Sequence, residues 1–153
     1  MTMKDRIASA LKEAMKAKDA DRLSTLRLIN AAIKDREIAA RGEGGGEGGV
    51  GDAEVLAILA KMVKQRQESA RAYEEGGRLE LAEKELAEIK VIEEYLPRQL
   101  TGDEIAAAID GAVAETGAAS LRDMGKVMGA LKARYAGQMD FGAVGGLLKA
   151  RLG

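Results

Sequence analysis

From Leu121 to Gly153 the chain carries six basic side chains, Arg122, Lys126, Lys132, Arg134, Lys149 and Arg151, against the two acidic ones of Asp123 and Asp140. That formal +4 sits in a protein whose whole-chain charge is -1, so the positive charge is local. Cations at helical spacing can neutralise phosphate oxygens, although a solvated helix face has the same composition. Gly125 and Gly129 stand one turn apart in the same stretch. Each costs a helix interior roughly 0.5–1 kcal/mol relative to Ala. Close packing of a neighbouring helix would offset that cost, and so would close approach of a bulky partner such as a sugar-phosphate backbone. Lys61, Lys64 and Arg71 form a second basic face upstream, beside Glu68. The glutamates that follow favour a solvated reading there.

Other chemistry is poorly supplied. The chain has no Cys and no His, which removes disulfides, the usual zinc sites, thiolate nucleophiles and the commonest proton-transfer side chain. Ser9, Ser24, Ser69 and Ser120 have no histidine base, and the carboxylates downstream of Leu79 lie at surface spacing. No catalytic residue, metal ligand or cofactor is assigned. The aromatics are Tyr73, Tyr95, Tyr135 and Phe141, mostly at buried periodicity, so no platform for stacking single-stranded bases is visible. An RNA contact would read shape and backbone. No stretch reaches the roughly 18 apolar residues of a membrane span, and the start of the chain is amphipathic, which gives an expectation of a cytoplasmic protein with no membrane partner.

The elements that must position these residues are helical. Of the 153 residues, 46% are hydrophobic and 32% charged, a globular balance with an aliphatic, Ala- and Met-rich core. Ile7, Leu11 and Met15 predict a first amphipathic helix over 3–18, and Leu23, Leu26, Ile29, Asn30 and Ile33 a second that runs towards Arg41. The seven glycines of 42–51 predict a mobile loop. A phosphate cradle is disfavoured there, since no Lys-Ser/Thr pair follows and Glu43 and Glu47 would repel the ligand. Asp52 is expected to cap a third helix, with Val55, Leu59, Met62, Val63, Ala70 and Tyr73 inward and Gly76-Gly77 as its stop. Arg66 interrupts that inner face, and calls for a glutamate partner on a neighbouring helix or for an anion. A fourth helix over 79–96 would bury Ala82, Leu86, Ile89 and Ile92.

Pro97, the only proline, ends that helix, and Thr101 with Glu104 forms a capping box that opens the next. Three shorter helices follow, with inner faces at Ile105, Ala108, Ile109 and Val113, then Met124, Val127, Met128, Leu131 and Tyr135, then Phe141, Val144, Leu147, Leu148 and Leu152. The expected fold is all-α. Two bundles stand in tandem and are joined at Pro97, with four helices over 1–97 and three over 98–153.

Five segments carry a resemblance: Leu26 to Lys34, Lys61 to Ser69, Gly77 to Ala82, Glu88-Ile89 through Tyr95-Leu96-Pro97, and Asp123-Met124-Gly125-Lys126-Val127-Met128-Gly129. In this order they resemble the GatB/YqeY family nearly end to end. The resemblance implies an all-helical, free-standing counterpart of the tail of the B subunit of the glutamine-dependent aspartyl/glutamyl-tRNA amidotransferase. That tail holds the tRNA body near its elbow while the chemistry occurs elsewhere. The resemblance therefore implies a non-catalytic tRNA-binding module, with the contact carried by Gly125, Lys126 and Gly129 and, by charge and helical position, Lys132 and Arg134. The alternative is a protein-interaction module that docks on an amidotransferase or aminoacyl-tRNA synthetase component, under a family label of carbon-nitrogen ligase with glutamine as amide donor.

Overall fold

The computed structural model describes residues 2–42 and 50–153. Most of the glycine-rich loop expected at 42–51 falls on 43–49, outside the described residues. Every regular element among the described residues is helical: α1 (Met3–Ala17), α2 (Ala20–Gly42), α3 (Asp52–Glu75), α4 (Leu79–Glu93), α5 (Gly102–Thr116), α6 (Met124–Tyr135) and α7 (Phe141–Leu152), with a 3-10 turn at Leu121–Asp123. The fold is all-α. The chain separates into two compact units, Met1–Leu96 and Pro97–Gly153.

In the first unit α1 opens on a capping box, Thr2 with Asp5. Asp52 does not cap its own helix, as the sequence suggested. Gly51 occupies that position, and the Asp52 carboxylate accepts the Met3 N–H at 3.1 Å instead, tying the start of α3 to the start of α1. Ile7, Leu26, Ile29, Ile33, Val55, Leu59 and Ile92 form the fully buried centre. Two expected core residues lie outside it, Met15 at 51% exposure and Leu86 at 42%. Between α3 and α4 the chain turns at Gly76-Gly77, where Gly77 takes φ +75°, a left-handed conformation that glycine adopts without a Cβ clash. Arg78 N–H closes the turn on the Tyr73 carbonyl at 2.7 Å.

Arg66 resolves as a paired arginine. Its guanidinium donates to Glu88 of α4 at 3.3 Å and to the Met62 carbonyl at 3.1 Å, with both side chains of the ion pair only 15% exposed. α4 ends at Glu93, and the expected last turn to Leu96 tightens: Glu94, Tyr95 and Leu96 N–H groups each reach back three residues rather than four. Pro97 forbids the helical conformation that would continue it. Arg22 of α2 fastens this turn with two bonds to Glu94, at 2.6 and 3.0 Å, and one to the Tyr95 hydroxyl at 3.3 Å. The Arg6 guanidinium lies 5.5 Å from the Tyr95 ring centre.

The second unit starts as the sequence predicts, with the Thr101–Glu104 capping box opening α5. Arg98 grips the same Glu104 carboxylate with two bonds of 2.8 Å, so Glu104 titrates at about 2, held down first by Arg98 and then by the Thr101 N–H. Leu100 N–H donates to the Gln138 carbonyl at 2.9 Å and the Gln138 amide to the Arg98 carbonyl at 3.1 Å, which pins the entry segment of this unit to the α6–α7 turn. Gly117 ends α5, the Asp123 carboxylate accepts from the Ala119 and Ser120 N–H groups, and Asp140 caps α7. The core is Ala108, Ile109, Ala112, Val127, Leu131, Met139, Val144 and Leu148. Leu147, expected inside, is exposed.

Two outcomes follow from these pairings. Glu88→Ala leaves the half-buried Arg66 without its carboxylate and should cost about 1–3 kcal/mol in denaturant unfolding; an unchanged midpoint would show the pair to be idle. Glu104 has a folded value below its ordinary 4.5, so its contribution is present above pH 4.5 and lost as pH falls towards about 2. The stability difference between the unaltered chain and Glu104→Gln should close over that window, and a difference independent of pH would contradict the assignment.

Candidate nucleic-acid interface

At about 100° per residue, Gly125, Gly129 and Lys132 fall on one side of α6, with Lys126 at its edge, while Val127 and Leu131 face the core. All four of the former are exposed. A Cβ added at Gly125 or Gly129 meets no heavy atom within 4 Å. Close packing within the second unit is therefore not what offsets these glycines.

Arg134 does not belong to that group. It lies about 200° around the helix from Lys132 and donates to Glu115 of α5 at 2.9 Å, an ion pair that raises its pKa further. Its charge is committed to holding α6 against α5. Lys132 has no ion-pair partner among the described residues. Lys126 acts at longer range on Asp123, whose carboxyl is held below its ordinary range mainly by the Ala119 N–H and then by Ser120 and Lys126. The arrangement offers a smooth, cationic surface with room for a backbone to approach.

Lys61, Lys64 and Arg71 are exposed along α3 in the other unit. Lys64 is engaged with a neighbour there. The structure brings them together as a face of that unit by itself. A separate open groove of about 450 Å³ in the second unit is bordered by Arg98, Glu104, Tyr135 and Gln138. Its only cation, Arg98, is already held by Glu104.

The family that matches this chain is described as Yqey-like protein, and the match runs over residues 4–152. The chain belongs to the YqeY-like family. Curated relatives of this YqeY-like chain carry the name "Altered inheritance of mitochondria protein 41, mitochondrial". That of Clavispora lusitaniae is 40% identical over 86 residues, covering 56% of this chain and 46% of the relative. That of Eremothecium gossypii is 34% identical over 102 residues, covering 65% and 53%. That of Saccharomyces cerevisiae YJM789 is 30% identical over 95 residues, covering 62% and 49%. The chain spans about half the length of these relatives. Their names overturn the cytoplasmic location expected from the sequence, since the relatives are mitochondrial proteins. Composition and an amphipathic first helix do not record a compartment, because a helical domain of this charge is equally soluble on either side of an organelle membrane. No helix among the described residues is long and apolar enough to cross a membrane.

Reading the charge total alone missed one signal. Residues 140–152 repeat residues 123–135 at an offset of 17, with eight of thirteen positions identical: Asp123/Asp140, Gly125/Gly142, Val127/Val144, Gly129/Gly146, Leu131/Leu148, Lys132/Lys149, Ala133/Ala150 and Arg134/Arg151. The repeat adds Gly142, Gly146 and Lys149 to the residues of interest.

Since a Cβ at position 129 has open space, Gly129→Ala should stabilise the chain by about 0.5–1 kcal/mol in thermal or denaturant unfolding. A lower midpoint would mean that the glycine is required for packing after all.

Proposed function

We propose that this YqeY-like chain is a non-catalytic module that binds tRNA by its ribose-phosphate backbone, near the elbow, through the exposed face of α6. One observation carries the reading: Gly125 and Gly129 stand on that face with nothing packed on them, next to cations that the fold does not consume. A solvent-exposed helix gains nothing from two glycines a turn apart, whereas a helix that must let a sugar-phosphate chain lie close against its backbone does. Gly125, Lys126, Gly129 and Lys132 are the contact residues of this proposal. Arg134 supports α6 from behind, and Lys61, Lys64 and Arg71 are a second basic face that the reading does not require. Any amide transfer associated with the family's amidotransferase kinship is assigned to other subunits, since no serine and base are seen to stand together among the described residues.

A second reading has its own support. Leu79 is 61% exposed, and Leu86, one heptad on, shares its side of the acidic α4. An amidotransferase or synthetase component could dock there through an apolar contact. Recovery of such a protein from extract after nuclease treatment, lost on Leu79→Glu with Leu86→Glu, would favour it.

The tRNA reading is tested by titrating unfractionated tRNA at increasing salt. Binding should weaken steeply as salt rises, because each neutralised phosphate releases counterions, and Lys126→Glu with Lys132→Glu should abolish it. Absence of binding at low salt, or binding indifferent to salt, would remove the reading.

A further inference from the structure

We infer that α7 presents a second cationic face equivalent to that of α6, so that Lys132 and Lys149 engage two phosphates of the same RNA backbone. The inference rests on the tRNA-binding reading of α6 and extends it to a helix not included in that reading. Its basis is the 17-residue repeat, whose identical positions fall into three groups.

The first group is core: Val127 and Leu131 of α6, Val144 and Leu148 of α7, all buried to 1% exposure or less. The second group fastens both helices to α5. Arg134 pairs with Glu115 at 2.9 Å and Arg151 with Asp110 at 3.0 Å. Folding accounts for both groups.

It does not account for the third. Gly125, Gly129 and Lys132 on α6, and Gly142, Gly146 and Lys149 on α7, are exposed in both copies. A Cβ added at Gly129 or Gly146 meets nothing within 4 Å. Neither Lys132 nor Lys149 has an ion-pair partner among the described residues. Each lysine lies two positions before the arginine that reaches α5, about 200° around its helix. Both therefore project from the sides turned away from α5 and its carboxylates.

The same division of labour thus occurs twice: arginine spent on the fold, lysine left outward beside bare backbone. Charge complementarity makes the occupant a polyanion. A protein partner would need an apolar or aromatic anchor in the contact, and neither face holds one, since the exposed Leu147 stands on another side of α7. The copies are not equal in strength, because Ala143 replaces Lys126 at the edge of the face. α7 offers one cation where α6 offers two.

The test is a salt series of unfractionated-tRNA binding by the full chain, by Lys132→Gln, by Lys149→Gln, by the double variant, and by Lys84→Gln as a surface-charge control on α4. Each single variant should flatten the dependence of log affinity on log salt by about 0.9, the double by about twice that, and the control not at all. A flattened slope for Lys132→Gln with an unaltered one for Lys149→Gln would overturn the α7 contact and leave the α6 reading standing. Equal flattening by Lys84→Gln would overturn it as well, by reducing the effect to overall charge. No binding by the unaltered chain at low salt would overturn both readings together.

Discussion

In the second unit α5 supplies the carboxylates to which the other elements are tied. Glu104, Glu115 and Asp110 each receive an arginine from a different element, Arg98 from the entry segment, Arg134 from α6 and Arg151 from α7. All three pairs are solvent-exposed, where such pairs contribute little to stability. What they mark is orientation. The roll of α6 and α7 is set by Val127, Leu131, Val144 and Leu148 in the core, and the arginine pairs report it, since a helix whose roll is set has its opposite side determined too. With the arginines turned to α5, Lys132 and Lys149 can only lie away from it. The buried stripe of each helix thereby decides where its lysine is presented, and the anionic α5 takes up the arginine.

The first unit also contains one arginine pair that reaches into the apolar layer, Arg66 with Glu88, each 15% exposed. Arg66 replaces an expected core contact by bridging α3 and α4 through Glu88, and Arg22 ties α2 to the turn that follows α4. Tyr95 is sandwiched in this second group, its hydroxyl bonded to Arg22 and its ring facing Arg6, with burial pushing its pKa up. The residues before Pro97 are thus tightly held although the helix itself has ended.

Helix positions were legible in the sequence because apolar spacing and capping chemistry are local. The misses come from geometry that accumulates. A spacing of four advances about 400°, so Ile7, Leu11 and Met15 drift about 40° per step, and by Met15 the stripe has left the core. Ala14 takes its place, and it is buried. Leu86 sits at the edge of the α4 stripe for a similar reason. Asp52 was read as a local cap because composition cannot reveal that its carboxylate meets a backbone N–H 49 residues away. The candidate site shows the same limit. Lys132 and Arg134 are neighbours in a list of charges and stand on opposite sides of a cylinder, and only the acids of α5 reveal which one is consumed. The repeat at an offset of 17 was present in the sequence throughout, but apolar periodicity registers only its core positions and passes over the glycines and lysines between them.

The charge balance of the second unit also bears on what it can bind. Over 97–153 there are seven basic and six acidic side chains, a net +1 that would suggest indifference to polyanions. Net charge misleads here because three of the acids are spent on arginines, Glu104 on Arg98, Glu115 on Arg134 and Asp110 on Arg151, while Lys132 and Lys149 are outside those pairs. The carboxylates bonded to arginine lie along α5, across the body of α6 or α7 from the lysines. A helix with its side chains is about 10–12 Å across, and the Debye length at physiological ionic strength is about 8 Å. A phosphate on the outer face of α6 is therefore more than a screening length from the α5 acids and within contact of Lys132.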